Sequence, residues 1–486
     1  MSVAPNLIVG IAGESLSNRE TTKLATGLFR CADLASGGWE DLGARLPEAP
    51  EVRVLCAHPT APGTLFAGTQ YGVHRSDDAG ASWQILDLPQ PHYGVWSLAF
   101  HPQDPDIMIA GYEPGAVFRS EDGGHSWHEA QLRSVYPVGS ESEPKRVMGL
   151  VFDDVEPQFA YGALEVGGLV RSCDGGRSWD SVDVCGDVDR ADVHAIAARG
   201  GRVVAACRIG VLVSEDRGQS WSHRAGDFVD VVGLGAQEIE SLVQRVSRER
   251  FDDNLMVHRL DEGAGRVRVE LRVRWPGRDD YGGHFDARGI GGRPGAEGRV
   301  NAAACWHAFA AVIDGLLSAA PGVRVTTSLT SFDSPADFCS VAAADLKAQC
   351  RCNTAQGAPN AETLLRVRRW MWVDQYCRCV VIATDDPDTL FIGAGAGYLA
   401  ESGALWCSHD GGDSWAPLNL PAEVNSALFG LTSDPHDPTR LYAACKDGLV
   451  LESGDRGLTW RCFPLPSGAD PVYALAVTRP PPQGGT

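Results

Sequence analysis

The residues best equipped for chemistry in this chain recur at a fixed spacing. Ser76–Trp83 (SDDAGASW), Ser120–Trp127 (SEDGGHSW), Ser172–Trp179 (SCDGGRSW), Ser214–Trp221 (SEDRGQSW), Ser408–Trp415 (SHDGGDSW) and Ser453–Trp460 (SGDRGLTW) all read Ser-x-Asp-x-Gly-x-Ser/Thr-Trp. A carboxylate held between two hydroxyls is a ready acid/base group. Six copies argue against that use, because identical turns on a repeated scaffold cannot all face one substrate. Asp78, Asp122, Asp174, Asp216, Asp410 and Asp455 are instead expected to accept amide hydrogen bonds from their own turns. The Gly then supplies a positive φ. Trp83, Trp127, Trp179, Trp221, Trp415 and Trp460 are expected to bury their rings between neighbouring units, each indole N–H keeping a polar partner.

Two other patterns invite chemistry and carry less. The paired triplets Cys350/Cys352 and Cys377/Cys379 offer four thiolates, but the second pair opens an apolar strand, so buried and unligated thiols are the expectation and no metal is assigned. Val231–Glu238 (VVGLGAQE) has a Gly-x-Gly after an apolar run, yet lacks the third glycine of a dinucleotide fingerprint. No cofactor is expected.

The elements that must position these residues follow from periodicity. Successive octet tryptophans stand 44, 52 and 42 residues apart from Trp83 to Trp221, and 45 apart from Trp415 to Trp460. That is the length of a four-stranded sheet repeat. Gly27–Leu42 (GLFRCADLASGGWEDL) resembles a degenerate octet ending at Trp39 and makes a seventh unit. The N-terminus supplies three strands of that unit, and Pro471–Val477 after the last octet supplies the fourth, so closure is expected between residues 471–477 and 7–42.

Between Trp221 and Trp415 the rhythm breaks for 194 residues. Arg266–Trp275 alternates like a half-buried strand, Asn301–Ala320 has helical length with a Pro321-Gly322 stop, and Ala361–Val373 reads as another helix. An inserted α+β domain is expected at residues 225–375, between repeat segments 1–224 and 376–486.

Bulk composition narrows the partners. The chain has 486 residues and a formal charge of −21, from 42 Lys plus Arg and 63 Asp plus Glu. Nucleic acid is a poor match for such a balance. No run of apolar residues is long enough to cross a membrane, and the N-terminus does not read as a signal peptide. The 14 cysteines are scattered rather than framed, so reduced thiols and a cytoplasmic location are expected.

The octets closely resemble the Asp-box (BNR) repeat of β-propellers, a superfamily that includes sialidases, sortilin and a photosystem II assembly factor. The resemblance covers residues 5–225 and 376–480. It implies an all-β seven-bladed β-propeller with Asp-box hairpins on the outer rim, away from the ligand face, carrying the inserted α+β domain. Residues Val300–Leu329 faintly resemble the C-terminal half of dihydrodipicolinate-reductase-like dehydrogenases; without a nucleotide-binding half, no activity is transferred.

On such a ring the ligand face is built from the starts of the innermost strands and the turns between second and third strands. Aligning the blades places Arg53, Trp96, Met148, His194, Arg378, Phe429 and Ala474 at equivalent inner-strand positions, with His92, Tyr93, Arg146 and Asp192 beside them. The turns add Gln70, Glu113, Glu165, Arg208 and Lys446. These positions differ from blade to blade, as a single ligand in a pseudo-symmetric ring requires. Arg53, Arg146 and Arg378 suit a carboxylate or phosphate. Glu113 and Glu165 suit an acid/base pair, or else pair with the arginines along a wet channel.

A non-catalytic binding or assembly scaffold is the expected function, with a protein partner or a small anionic or carbohydrate ligand at the channel mouth beneath the insert. The alternative is a glycoside hydrolase using the mouth carboxylates. Against it stand the missing Arg-Ile-Pro motif of sialidases and the absence of a clear nucleophile. A small-molecule enzyme formed by the insert over the channel is a weaker third reading.

Overall fold

The computed structural model describes residues 5–13, 26–47, 49–86, 94–133, 146–165, 167–182, 192–208, 210–225, 228–250, 255–263, 265–273, 283–284, 309–327, 329–341, 376–395, 402–424 and 426–479. Outside the insert these residues form seven antiparallel sheets of four strands, one of them widened by a short extra strand, Gln131–Arg133, that runs parallel to its outer edge. The innermost strands are Val54–Ala57, Gly94–Phe100, Arg146–Phe152, Val193–Arg199, Tyr376–Ile382, Leu428–Asp434 and Val472–Thr478. Each touches the next in that order, and the last returns to the first, so the sheets close a β-propeller ring.

Closure joins the chain ends within one sheet. Val472–Thr478 pairs antiparallel with Asn6–Ile11, which continues through Gly27–Cys31 to Glu40–Asp41. Trp39 adds a tie to the preceding sheet, its indole N–H donating to the Pro464 carbonyl at 3.0 Å. The join pairs the edge of Asn6–Ile11 with that of Val472–Thr478, so neither is offered there as a template for edge-to-edge aggregation.

The octets tip the hairpins between third and fourth strands. In the second sheet Ser120 Oγ donates to Asp122 Oδ1 at 2.8 Å and accepts from Gly124 N at 2.9 Å. Asp122 also receives Ser126 N and Ser126 Oγ, at 2.8 and 2.6 Å. The other five octets repeat the pattern. The left-handed backbone extends one residue further than expected. The position before the Gly also has positive φ: Ala79 58°, Gly123 70°, Gly175 73°, Arg217 57°, Gly411 70° and Arg456 62°.

Each octet tryptophan packs against the preceding sheet, which is how repeats without cores of their own become stable. Trp127 meets Phe66, Val73 and Leu86, and Trp179 meets Ile109 and Val117. Five indoles donate to the carbonyl of their own octet Gly, at 2.9 to 3.3 Å. Trp83 departs from expectation: its Nε1 is buried with no hydrogen-bond partner among the described residues.

The segment between the fourth and fifth propeller sheets forms its own sheet. Its order is Leu255–Gly263, Arg266–Val273, Phe228–Val232, Arg324–Thr327, Ser331–Phe332. Helix Ala236–Arg250 buries Ile239, Leu242, Val243 and Val246, and residues 309–317 are helical. The Gly-x-Gly before the first helix is not an anion cradle, because Gly235 N already donates to Glu238 Oε2 at 2.8 Å. The expected helix at Ala361–Val373 lies outside the described residues. The insert's core is continuous with Ala427, Phe429, Tyr376 and Tyr473 of the propeller. No helix among the described residues is long and apolar enough to cross a membrane.

Candidate functional site

Strand register separates the two ends of the ring. In the second sheet Ser120 pairs with Met108 and Met108 with Phe100 at the octet end, whereas Gly94 pairs with Glu113 at the other. In the third, Ser172, Ala160 and Phe152 align at the octet end, and Arg146 pairs with Glu165 opposite. The variable candidates therefore occupy the end away from the octets.

A regular irregularity then turns their side chains inward. Six inner strands carry a register shift at one residue: Trp96, Met148, His194, Arg378, Phe429 and Tyr473. A bulge inserts an unpaired residue and re-aims its side chain. Sequence alignment placed Ala474 at this position in the closing sheet; the structure corrects it to Tyr473. With Arg53, the bulged residues line one cavity of about 250 Å³ on the channel, and Ala474 forms part of its wall.

The side chains lining this cavity are stacked on one another and paired with neighbours just outside it, Glu51, Glu113, Arg146, Glu165 and Tyr376, none of which lines it. Guanidinium carbons of Arg53 and Arg146 lie 4.5 and 4.7 Å from the Trp96 ring centroid, and that of Arg378 lies 4.6 Å from Phe429. Tyr473 sits edge-on to both Trp96 and Phe429, at 5.9 and 5.7 Å. Arg146 Nε is 3.1 Å from Glu113 and its Nη1 is 2.9 Å from Glu165. Glu113 also accepts the Trp96 indole N–H at 2.8 Å. Arg53 pairs with Glu51 at 2.5 Å. Arg378 Nη1 donates to the Tyr376 hydroxyl at 3.3 Å and stands 3.9 Å from Glu165.

Electrostatics hold these charges in place. Burial opposes the charge of Arg146, but Glu165 and Glu113 outweigh it and raise its pKa. Arg378 is raised likewise, against burial, by Tyr376, Glu165, Tyr473 and Asp192. Burial alone would raise the Asp192 carboxyl; His194, Arg208 and Arg378 overcome it and hold the group down at about 2. Burial raises the Tyr376 hydroxyl, which stays neutral.

Other candidates take supporting places. Gln70 spans the neighbouring loop, accepting from Glu51 N and donating to Ala49 O, both at 2.8 Å. Arg208 N donates to Asp192 O at 3.0 Å, and Lys446 links Ala427 and Val472 through its backbone; neither side chain is among those lining the cavity. His92, Tyr93, Cys350 and Cys352 lie outside the described residues. Cys377 and Cys379 are buried, and burial pushes the Cys379 thiol up to about 12. Reasoning from sequence missed Glu51, Tyr376 and Tyr473. Each stands one or two residues before a position that the alignment did select, and that proximity was the available signal.

As an acid/base pair, Glu113 and Glu165 are poorly disposed. Two-carboxylate glycoside hydrolysis needs an open gap for sugar and water between the groups. Here one guanidinium bridges them.

No family model matches the chain. Photosystem II assembly lipoprotein Ycf48 of Synechococcus sp. (strain CC9902) is 29% identical over 186 residues, which are 37% of this chain and 49% of that protein. Xyloglucanase Xgh74A of Acetivibrio thermocellus is 33% identical over 125 residues, 22% of this chain and 15% of that protein. The chain thus spans about half the length of the first relative and much less of the second. Among solved structures, YCF48 bound to D1 peptide aligns at 12% identity and a TM-score of 0.28, over 78% of this chain and 84% of that one.

Proposed function

We propose that this protein is a non-catalytic binding or assembly scaffold that holds a protein partner through the channel mouth beside the insert. The observation that carries this reading is the Arg146 bridge: the two carboxylates available for hydrolysis are both engaged by one half-buried arginine. What remains for recognition is an aromatic wall of Trp96, Tyr473 and Phe429 with Arg378 and the Glu51-paired Arg53 stacked on it. Stacked guanidinium groups beside aromatic rings suit a peptide segment that ends in, or carries, a carboxylate. The likeness to Ycf48, named as an assembly protein, supports a protein partner. On this reading residues 225–375 are a separate α+β domain set into repeats 1–224 and 376–486, and its core reaches the mouth through Phe429 and Tyr473.

A peptide library with free C-terminal carboxylates, and the same peptides amidated, tests the proposal by fluorescence anisotropy. Binding that weakens about tenfold on amidation, and again in Arg378→Gln, supports it. Binding indifferent to both changes rejects the carboxylate.

The second reading is a glycosidase, favoured by the xyloglucanase likeness and by two carboxylates at one mouth. A screen of xyloglucan and aryl glycosides decides it. Turnover abolished by both Glu113→Gln and Glu165→Gln, with melting temperature unchanged, would replace the scaffold by an enzyme.

A further inference from the structure

One cluster beside the cavity is not used by the binding reading. His194 is 3% exposed, and its Nδ1 lies 2.7 Å from the carbonyl oxygen of Cys377. A carbonyl can only accept, so Nδ1 carries a proton, and in the neutral ring Nε2 then presents a lone pair. Among the described residues, Nε2 is buried without a well-formed hydrogen bond and faces Asp192 Oδ1 at 3.4 Å, which is also buried and receives none. Glu165 completes the group: one donor atom from each of Glu165, Asp192 and His194 lies within 4.8 Å of the others.

In that neutral state two lone pairs face each other in a buried pocket and repel unless positive charge, a proton or a metal ion, sits between them. We propose that Glu165, Asp192 and His194 bind one divalent transition-metal ion of the zinc class. One imidazole nitrogen with two carboxylate oxygens is a donor set for such a metal rather than for calcium or magnesium. The 3.4 Å separation of Nε2 from Oδ1 matches the edge of a tetrahedron with bonds of roughly 2.0–2.2 Å. The Cys377 carbonyl supplies the outer partner that fixes a ligating imidazole in its tautomer.

The surrounding cations tune this site. Arg146 engages Glu165 through Oε2 at 2.9 Å, which leaves Oε1 for the metal. Arg378 Nη1 stands 3.9 Å from Oε1, beyond hydrogen-bond reach. Arg378 and Arg208 both add positive charge near Asp192, so the site binds less tightly than an uncompensated carboxylate pair would. His194 also lines the cavity. The inference does not rest on peptide binding; the ion would be held with or without a partner.

The full-length chain, stripped with chelator and desalted, is titrated with zinc chloride by calorimetry and with cobalt chloride by visible absorbance. Wild type is expected to bind one equivalent more than His194→Gln or Asp192→Asn, and to lose nothing in His125→Gln, an exposed control. The cobalt d–d band should be absent from the first two variants and present in the third. Circular dichroism establishes that each variant folds. Equal stoichiometry in wild type and both site variants overturns the proposal, as does a wild-type chain that binds no zinc, whatever the variants do. In either event the charge between His194 and Asp192 is a proton only.

Discussion

Trp96 donates its indole N–H to Glu113 across 2.8 Å, from a bulge in the inner strand to the far end of the second strand of the same sheet. That contact aligns the carboxylate for Arg146, which belongs to the next sheet and reaches Glu113 at 3.1 Å. One indole thus turns two adjacent blades into a single charged wall. The binding reading depends on this wall being rigid and paired before any ligand arrives.

Removing the bridge should expose the repulsion that it balances. Arg146→Met leaves Glu113 and Glu165 facing each other, each about one-fifth exposed, and should cost about 3 kcal/mol. Adding Glu113→Gln should restore part of that loss. Denaturant unfolding of the four chains gives the coupling, and a value near zero would show that the bridge is ornamental to stability.

Acid should weaken the octet tips. For Asp122 and Asp216, burial would raise the carboxyls, but hydrogen bonds from Ser126 and Ser120, and from Ser220 and Ser214, outweigh it and hold both at about 2, below 3.8. Across that window the unfolded chain takes up protons that the folded turns refuse, so stability is full above 3.8 and is lost as pH falls toward about 2. Asp216→Asn should flatten this part of a melting-temperature profile against pH, at the price of a lower plateau at neutral pH.

A glycine at Ala79 should stabilise the first octet. Ala79 has φ 58°, whereas three other octets place Gly at the same point. Relief of the left-handed strain exceeds the entropy that Gly adds to the unfolded chain, for a net gain of roughly 0.5–1 kcal/mol. Gly80→Ala should do the reverse, since φ is 88° and a Cβ would meet Leu42 at 2.9 Å. Thermal unfolding of both variants checks the pair of signs.

Deleting residues 470–486 should open the ring. Val472–Thr478 is the inner strand of the closing sheet and pairs along Asn6–Ile11. The truncated chain should aggregate or form oligomers through the bared edge, as seen by light scattering after size exclusion. A monomer with an unchanged melting temperature would show that the strand is dispensable.

The repeat was legible along the chain because its cause is local. Ser120, Asp122, Gly124 and Ser126 bind one another within six residues, so their spacing carries the turn, and the period of the tryptophans carries the sheet repeat. The same locality shows which end of each hairpin the octet occupies. What folding alone decided is how the mouth is assembled. Bulges at Trp96, His194 and Tyr473 arise from cross-strand register, which a single strand's pattern does not encode, and so Ala474 was selected in place of its neighbour. Ion pairs such as Glu113 with Arg146, and the approach of His194 to Cys377 from a strand 183 residues away, exist only when different sheets meet around the channel. Side-chain types were visible in advance; their partners were not, because charge pairing and lone-pair contacts depend on distance in space rather than on order in the chain.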